Sequence, residues 1–345
     1  VVLAYTAVGG FLAVSLTDFV QGTIMFIALI LVPVTALFLI GGLSGAETSI
    51  FEASPAIQTD GTAGPDRSGF FDWTRGMTFL GTISLLSWGL GYFGQPHIIV
   101  RFMAIRSLKD IAVARYIGMG WMIVTVIGAV LVGYVGAAYV QQHNLQDTLS
   151  DPETIFILLS QALFHPLVSG FLLAAVLAAI MSTISSQLLV SSSSLTEDFY
   201  KTFIRENASE SELVLVGRIA VIAVSLVAIG LAFDRSSNIL SLVSNAWAGF
   251  GAAFGPIILL SLFWRGLTRD GALAGMVMGA LTVLFWLYAP ISIGGQSLSS
   301  VLYEIVPGFI VSTLSAVSVS ILGRAVKPKV AAGFDDMAEV MTNSD

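Results

Sequence analysis

The sequence predicts an all-α integral membrane protein, on its composition, the length of its apolar runs, and the placement of its basic residues. Of 345 residues, 56% are hydrophobic and 11% charged, with mean hydropathy +0.89. Soluble domains carry about 25% charged residues. A spanning helix needs roughly 20 apolar residues, and about nine runs qualify: 1–16, 18–41, 77–100, 117–140, 167–194, 213–233, 239–264, 271–290 and 302–323. All but three of the 15 Lys and Arg residues fall in alternate loops and the tail, the exceptions being Arg67, Arg75 and Arg235. By the positive-inside rule the basic loops and the C-terminus are cytoplasmic, and span 18–41 runs outward.

The first two runs meet at Thr17-Asp18. An acid inside a span costs about 2.5–3.5 kcal/mol at the centre and less toward the ends. Thr17-Asp18 at a helix start is equally an N-cap, and position alone favours the cap. The chain starts without Met inside an apolar run, which leads us to expect a fragment lacking its N-terminal portion. Residues 42–76 read as a long outer loop. In a second outer loop, 141–165, the segment Thr154 to Phe164 is either a helix lying on the bundle or solvated.

The span at 77–103 contains Trp88-Gly-Leu-Gly-Tyr-Phe-Gly-Gln-Pro-His97. Its Gly89, Gly91 and Gly94 spell a dinucleotide-binding fingerprint, but that motif needs a preceding strand and a soluble βαβ unit. In an apolar helix, glycines at about 1 kcal/mol each and proline at about 3 favour unwinding. Unwound backbone in lipid survives only where it lines a cavity or is buried in protein. Interrupted apolar segments of this kind point to transporter binding sites. Trp88, Tyr92 and Pro96 are spaced four apart and share a face of a continuous helix, with Gln95 and His97 as polar partners. The other reading is a Pro-kinked helix whose aromatics simply pack.

The run 166–193 carries Ala179, Ser182, Thr183 and Ser186 at i, i+3, i+4 and i+7, a single stripe. Small side chains with oxygen donors suit a partly dehydrated hard cation. They equally suit close helix packing, and packing accounts for Ser185 and Ser191 to Ser194. The Gly-rich run Ala246 to Pro256 reads as a packing and hinge face. Several function classes drop out: no cysteine is present for disulfides or thiolate chemistry, the scattered basic residues form no nucleic-acid patch, and no paired intramembrane acids suggest an enzyme.

Three segments carry a resemblance: Ser15 to Gln21, Trp88 to His97, and Ala178 to Thr183. They resemble the solute:sodium symporter family in collinear order, most closely its bacterial sodium/proline branch. The resemblance implies a leucine-transporter-type bundle of two inverted five-helix repeats. Residues 1–323 would form one transmembrane domain: 1–41 the end of the first repeat, 77–264 the second repeat, and 271–323 two additional helices. Residues 324–345 would be a short cytoplasmic tail. The first repeat's broken helix would be missing. The resemblance also implies symport of sodium and L-proline across the bacterial inner membrane, with no other cofactor. The Ala179 carbonyl and the Ser182 and Thr183 hydroxyls would ligate sodium, with Asp18 beside the ion, and Trp88, Tyr92, Gln95 and Pro96 would line the proline pocket. Rival readings are another solute on the same fold, such as pantothenate, a sugar or a short acid, or the input domain of a membrane sensor.

Overall fold

The computed structural model describes residues 2–52, 76–149, 151–233 and 239–342. Every long element is helical, and the only strands among the described residues are a two-residue hairpin, Ser292–Ile293 with Gln296–Ser297. Seven helices among the described residues are long and apolar enough to cross a membrane. The chain forms two compact units, one of residues 1–75 and 112–229, the other of 76–111 and 230–345.

The first unit is built on α1 (Val2–Leu39), α2 (Gly42–Glu52), α6 (Leu108–Gln142), α7 (Ile155–Leu163), α8 (Pro166–Ser193) and α9 (Glu210–Ala232). The expected spans 1–16 and 18–41 are one element, α1. Its break lies at Gly10, where φ is +60°, a conformation open to glycine without a Cβ clash. Thr17-Asp18 is therefore helix interior and caps nothing. The Thr17 hydroxyl donates back to the Ala13 or Val14 carbonyl at 3.0 and 2.9 Å, as Ser and Thr do inside helices. Thr17 and Asp18 are capping residue types, but the helix runs through both without a break.

Val32 and Ala36 of α1, Val135 of α6, Leu159 of α7 and Leu172 of α8 form a fully buried core. The segment Thr154 to Phe164 thus resolves as a helix packed on the bundle, since Leu159 and Ser160 are wholly buried. Part of the expected loop 42–76 is helical, as α2, while Arg67, Arg75 and Arg235 lie outside the described residues.

The second unit holds α3 (Phe79–Leu86), α4 (Trp88–Gly91), α5 (Pro96–Met103), α10 (Ile239–Phe263), α11 (Arg269–Tyr288), α12 (Leu298–Val301), α13 (Ile305–Leu322) and α14 (Pro328–Thr342). Gly271, Gly275 and Gly279 lie one turn apart on α11 and are buried. A Cβ on them would strike Ser320, Ala316 and Ser312 of α13. The stripe lets the two backbones meet, the small-residue packing typical of membrane helices. The polar tail is mostly helical: α14 is tied to the α10–α11 connection by a two-pronged ion pair, Arg265 Nε to Asp335 Oδ1 at 2.7 Å and Nη2 to Oδ2 at 2.8 Å.

Two predictions follow from this packing. Gly275→Leu should destabilise the purified protein by about 1–3 kcal/mol or prevent its accumulation, read as the detergent unfolding midpoint; an unchanged midpoint would mean that the helices are not in contact there. Arg265 also holds the Asp335 carboxyl below its ordinary value, first through their hydrogen bond and then through charge attraction. The tether should be present at neutral pH and be lost only as pH falls through the acid end of the carboxylate range. Hydrogen exchange over 328–342 should rise there, and Asp335→Asn should show fast exchange at every pH.

Candidate functional site

In the second unit the helix at 79–103 is broken. After Ser87 the chain makes one α turn, then a 3-10 turn at Tyr92–Gly94. Gln95 is extended, with ψ at 113°, before Pro96 opens α5. A residue preceding proline is disfavoured in helical geometry, and proline fits the first helical position, so the sequence sets the break here. The Gln95 carbonyl then accepts from the Ile98 and Ile99 amides at 3.0 and 3.1 Å.

Around the break, α10 supplies what the helix has lost. The Trp247 Nε1–H donates to the Trp88 carbonyl at 3.0 Å, and the Gln95 Nε2–H donates to the Trp247 carbonyl at 3.2 Å. The Trp88 ring stacks on Tyr303 with centroids 5.6 Å apart, and Tyr92 meets Trp247 edge-on at 4.8 Å. Such pairs add about 0.5–1.5 kcal/mol each beyond buried area. A Cβ on Gly91 would overlap the Trp247 indole, and one on Gly94 would overlap the backbone of Phe250 and Gly251. Glycine is required at both positions for this approach. The run Ala246 to Pro256 is thus a packing face.

Trp88, Tyr92 and Gln95 are brought together around Trp247, while Pro96 is half-buried at the start of α5. Gln95 is 4% exposed and its amide is engaged, whereas Tyr92 is 44% exposed. Sequence reading missed Trp247 and Tyr303. The Tyr303 hydroxyl donates to the Ser244 carbonyl at 2.8 Å, and its amide donates to the Ser84 Oγ at 3.0 Å. Trp247 heads the glycine-rich run, which was its only signal.

In the first unit, α8 gathers oxygen atoms. The Ser182 hydroxyl donates to the Ala179 carbonyl at 2.9 Å, and the Thr183 hydroxyl reaches the same oxygen at 3.2 Å. Ala179 and Ser182 are half-buried and Thr183 is exposed. One turn on, the Ser185 and Ser186 hydroxyls reach Asp18 Oδ1 and Oδ2 at 3.3 and 3.0 Å. They also reach the Ser182 carbonyl at 3.0 and 2.9 Å. Each hydroxyl has a single proton for two acceptors, so the network can switch by rotating hydroxyls alone.

Ser185 is 0% exposed. Its assignment to packing is incomplete, because its hydroxyl also faces the Asp18 carboxylate. The cap reading of Asp18 fails for the same reason: the side chain points across to α8. Asp18 is 167 residues from Ser185, a separation that no local pattern reports.

The profile of the sodium:solute symporter family matches residues 1–279. The chain belongs to the sodium:solute symporter family. Among curated members of this symporter family, the high-affinity proline transporter PutP of Bacillus subtilis is 55% identical over 99% of this chain and 68% of its own length. The osmoregulated proline transporter OpuE of Bacillus subtilis is 51% identical over 94% of this chain and 62% of its own length. Sodium/proline symporter 2 of Staphylococcus saprophyticus is 51% identical over 93% of this chain and 60% of its length. The chain thus spans roughly two thirds of these relatives. A solved structure of a Na+-coupled sialic acid symporter, in its substrate-bound outward-open state, superposes with TM-score 0.70 at 21% identity. That likeness covers 94% of this chain and 66% of the other, and shows a shared fold.

Trp247→Phe should leave the Trp88 carbonyl without its donor and open a small void where the indole's second ring packed. A loss of about 1–3 kcal/mol in unfolding free energy is expected, with faster amide exchange over residues 88–95. Wild-type values for both would show that the indole N–H is not holding the break.

Proposed function

We propose that the protein is a sodium-coupled symporter that brings L-proline into the bacterial cell by alternating access. The observation that carries this reading is the convergence of the Ser182 and Thr183 hydroxyls on the Ala179 carbonyl, beside a hydroxyl-held Asp18, in a chain whose curated relatives are named proline transporters. The fold proposed is the leucine-transporter type. In it 1–41 closes the first repeat, 77–264 forms the second, 271–323 adds two helices, and the tail is cytoplasmic. The protein is a carrier rather than an enzyme, and sodium is its coupling ion.

Sodium is the cargo that the α8 oxygens would take. Ser182 and Thr183 now donate their protons to Ala179; rotation turns their lone pairs outward and releases the carbonyl for the ion. That exchange involves torsions only, which suits an ion that must leave again. Asp18 would lower the energy of the nearby cation, and Ser185 and Ser186 hold its two oxygens. In the first half of the span Gly9–Leu39, on an outward-running helix, it would assist inward release. Trp88, Tyr92 and Pro96 would face the apolar ring of proline. Gln95 would line the same pocket while keeping the break open through Trp247. If sodium and proline each stabilise the same conformation, each raises the other's affinity by an equal factor. The membrane potential adds about 2.3 kcal/mol per charge per 100 mV.

The test is uptake of labelled proline by the full-length transporter over a range of sodium concentrations. Ser182→Ala and Thr183→Ala should each raise the half-saturating sodium concentration by roughly 10–100-fold, the range seen when supporting groups of a metal site are removed. Unchanged sodium dependence in both variants removes them as ligands. Sugars, pantothenate and short acids should fail to compete with proline; competition by one of them would reassign the solute while leaving the ion site standing.

A further inference from the structure

At one end of the second unit, the segment Thr268 to Asp270 meets the segment Arg324 to Lys327 around a cavity of about 280 Å³. Its lining residues include Arg269, Arg324 and Lys327, with Asp270 the one carboxylate among them. All three cations are exposed, and none makes an ion pair among the described residues, although Arg265 close by in sequence is held by Asp335. The backbone adds to the positive field. Thr268 caps α11 by accepting from the Gly271 amide, and its own amide is spent on Ser320 Oγ. The Arg269 and Asp270 amides have no protein acceptor among the described hydrogen bonds, as first-turn amides of a helix do not.

Exposed apolar side chains flank these segments in the chain. Leu322, two residues before Arg324, is 86% exposed, and Phe263, at the end of α10, is 78% exposed. Leu273, one turn into α11, and the lining residue Val330 are also exposed. Cations alone suit any phosphate. Cations at the ends of spanning helices, flanked in the chain by exposed apolar side chains, suit a phosphate that carries acyl chains. We propose that this cavity binds the headgroup of an anionic phospholipid, its phosphate bridging Arg269, Arg324 and Lys327 and its chains lying along the α10–α13 end. Guanidinium forks match phosphate oxygens in geometry as well as charge. Asp270 keeps the site from being maximally tight.

The full-length transporter, purified in mild detergent, would be titrated with phosphatidylglycerol in phosphatidylcholine micelles and, separately, with inorganic phosphate. Saturable phosphatidylglycerol binding is expected. Replacing Arg269, Arg324 and Lys327 together by Gln should weaken it about a hundredfold, at about fivefold per charge, and Arg324→Gln alone, in an exposed linker, should show its share even if the triple variant misfolds. Asp270→Asn should tighten binding. Lys329→Gln should leave binding unchanged, because Lys329 is not among the lining residues. Equal phosphatidylglycerol affinity in wild-type and Arg324→Gln proteins would overturn the proposal. So would a Lys329→Gln loss as large as that of a lining cation, which would mean diffuse surface attraction. Inorganic phosphate binding as tightly as the lipid would also overturn it, since the acyl chains would then contribute nothing.

Discussion

A bilayer interior offers a peptide group no partner, so a helix that stops inside it must be answered by protein. The second unit is arranged around that requirement. Gln95 leaves helical geometry because Pro96 follows it, and the Trp88 carbonyl two turns earlier finds the Trp247 indole N–H instead. That bond needs two backbones to approach within side-chain-free distance, which is why glycine sits at 91, 94 and 251. The aromatic cluster of Trp88, Tyr92, Trp247 and Tyr303 follows from it: once α10 lies against the break, large rings from both sides fill the remaining space.

In the first unit, close packing and the satisfaction of a carboxylate draw on neighbouring residues of one helix. Small side chains on α8 allow α1 near enough for Asp18 to reach Ser185 and Ser186. Those hydroxyls satisfy the carboxylate that an apolar span would otherwise penalise. The hydroxyls one turn earlier rest on the Ala179 carbonyl. The contacts show close packing and a hydroxyl-held carboxylate along this stripe.

Where sequence reading succeeded, the determinant was local. Proline and three glycines within a few residues located the break, and hydroxyls at i, i+3, i+4 and i+7 located the α8 stripe. It failed where the deciding partner was remote. Position favours Thr17-Asp18 as a helix start, whereas Ser185 and Ser186 supply the Asp18 hydrogen bonds from another helix. Gly10, a single unremarked glycine, carries the bend instead. The tail looked merely polar, and its helix is fastened by Arg265, 70 residues away.

By itself the sequence determined that this is a membrane bundle, where most of its apolar segments lie, and which helix near Pro96 cannot stay continuous, since apolar length and backbone stereochemistry depend on neighbours in the chain. Only the tertiary structure decided which groups answer the break, which hydroxyls hold Asp18, and which cations at the α11–α14 end are left unpaired among the described residues. Those outcomes depend on distances between segments far apart in the chain, and helical periodicity is silent about them.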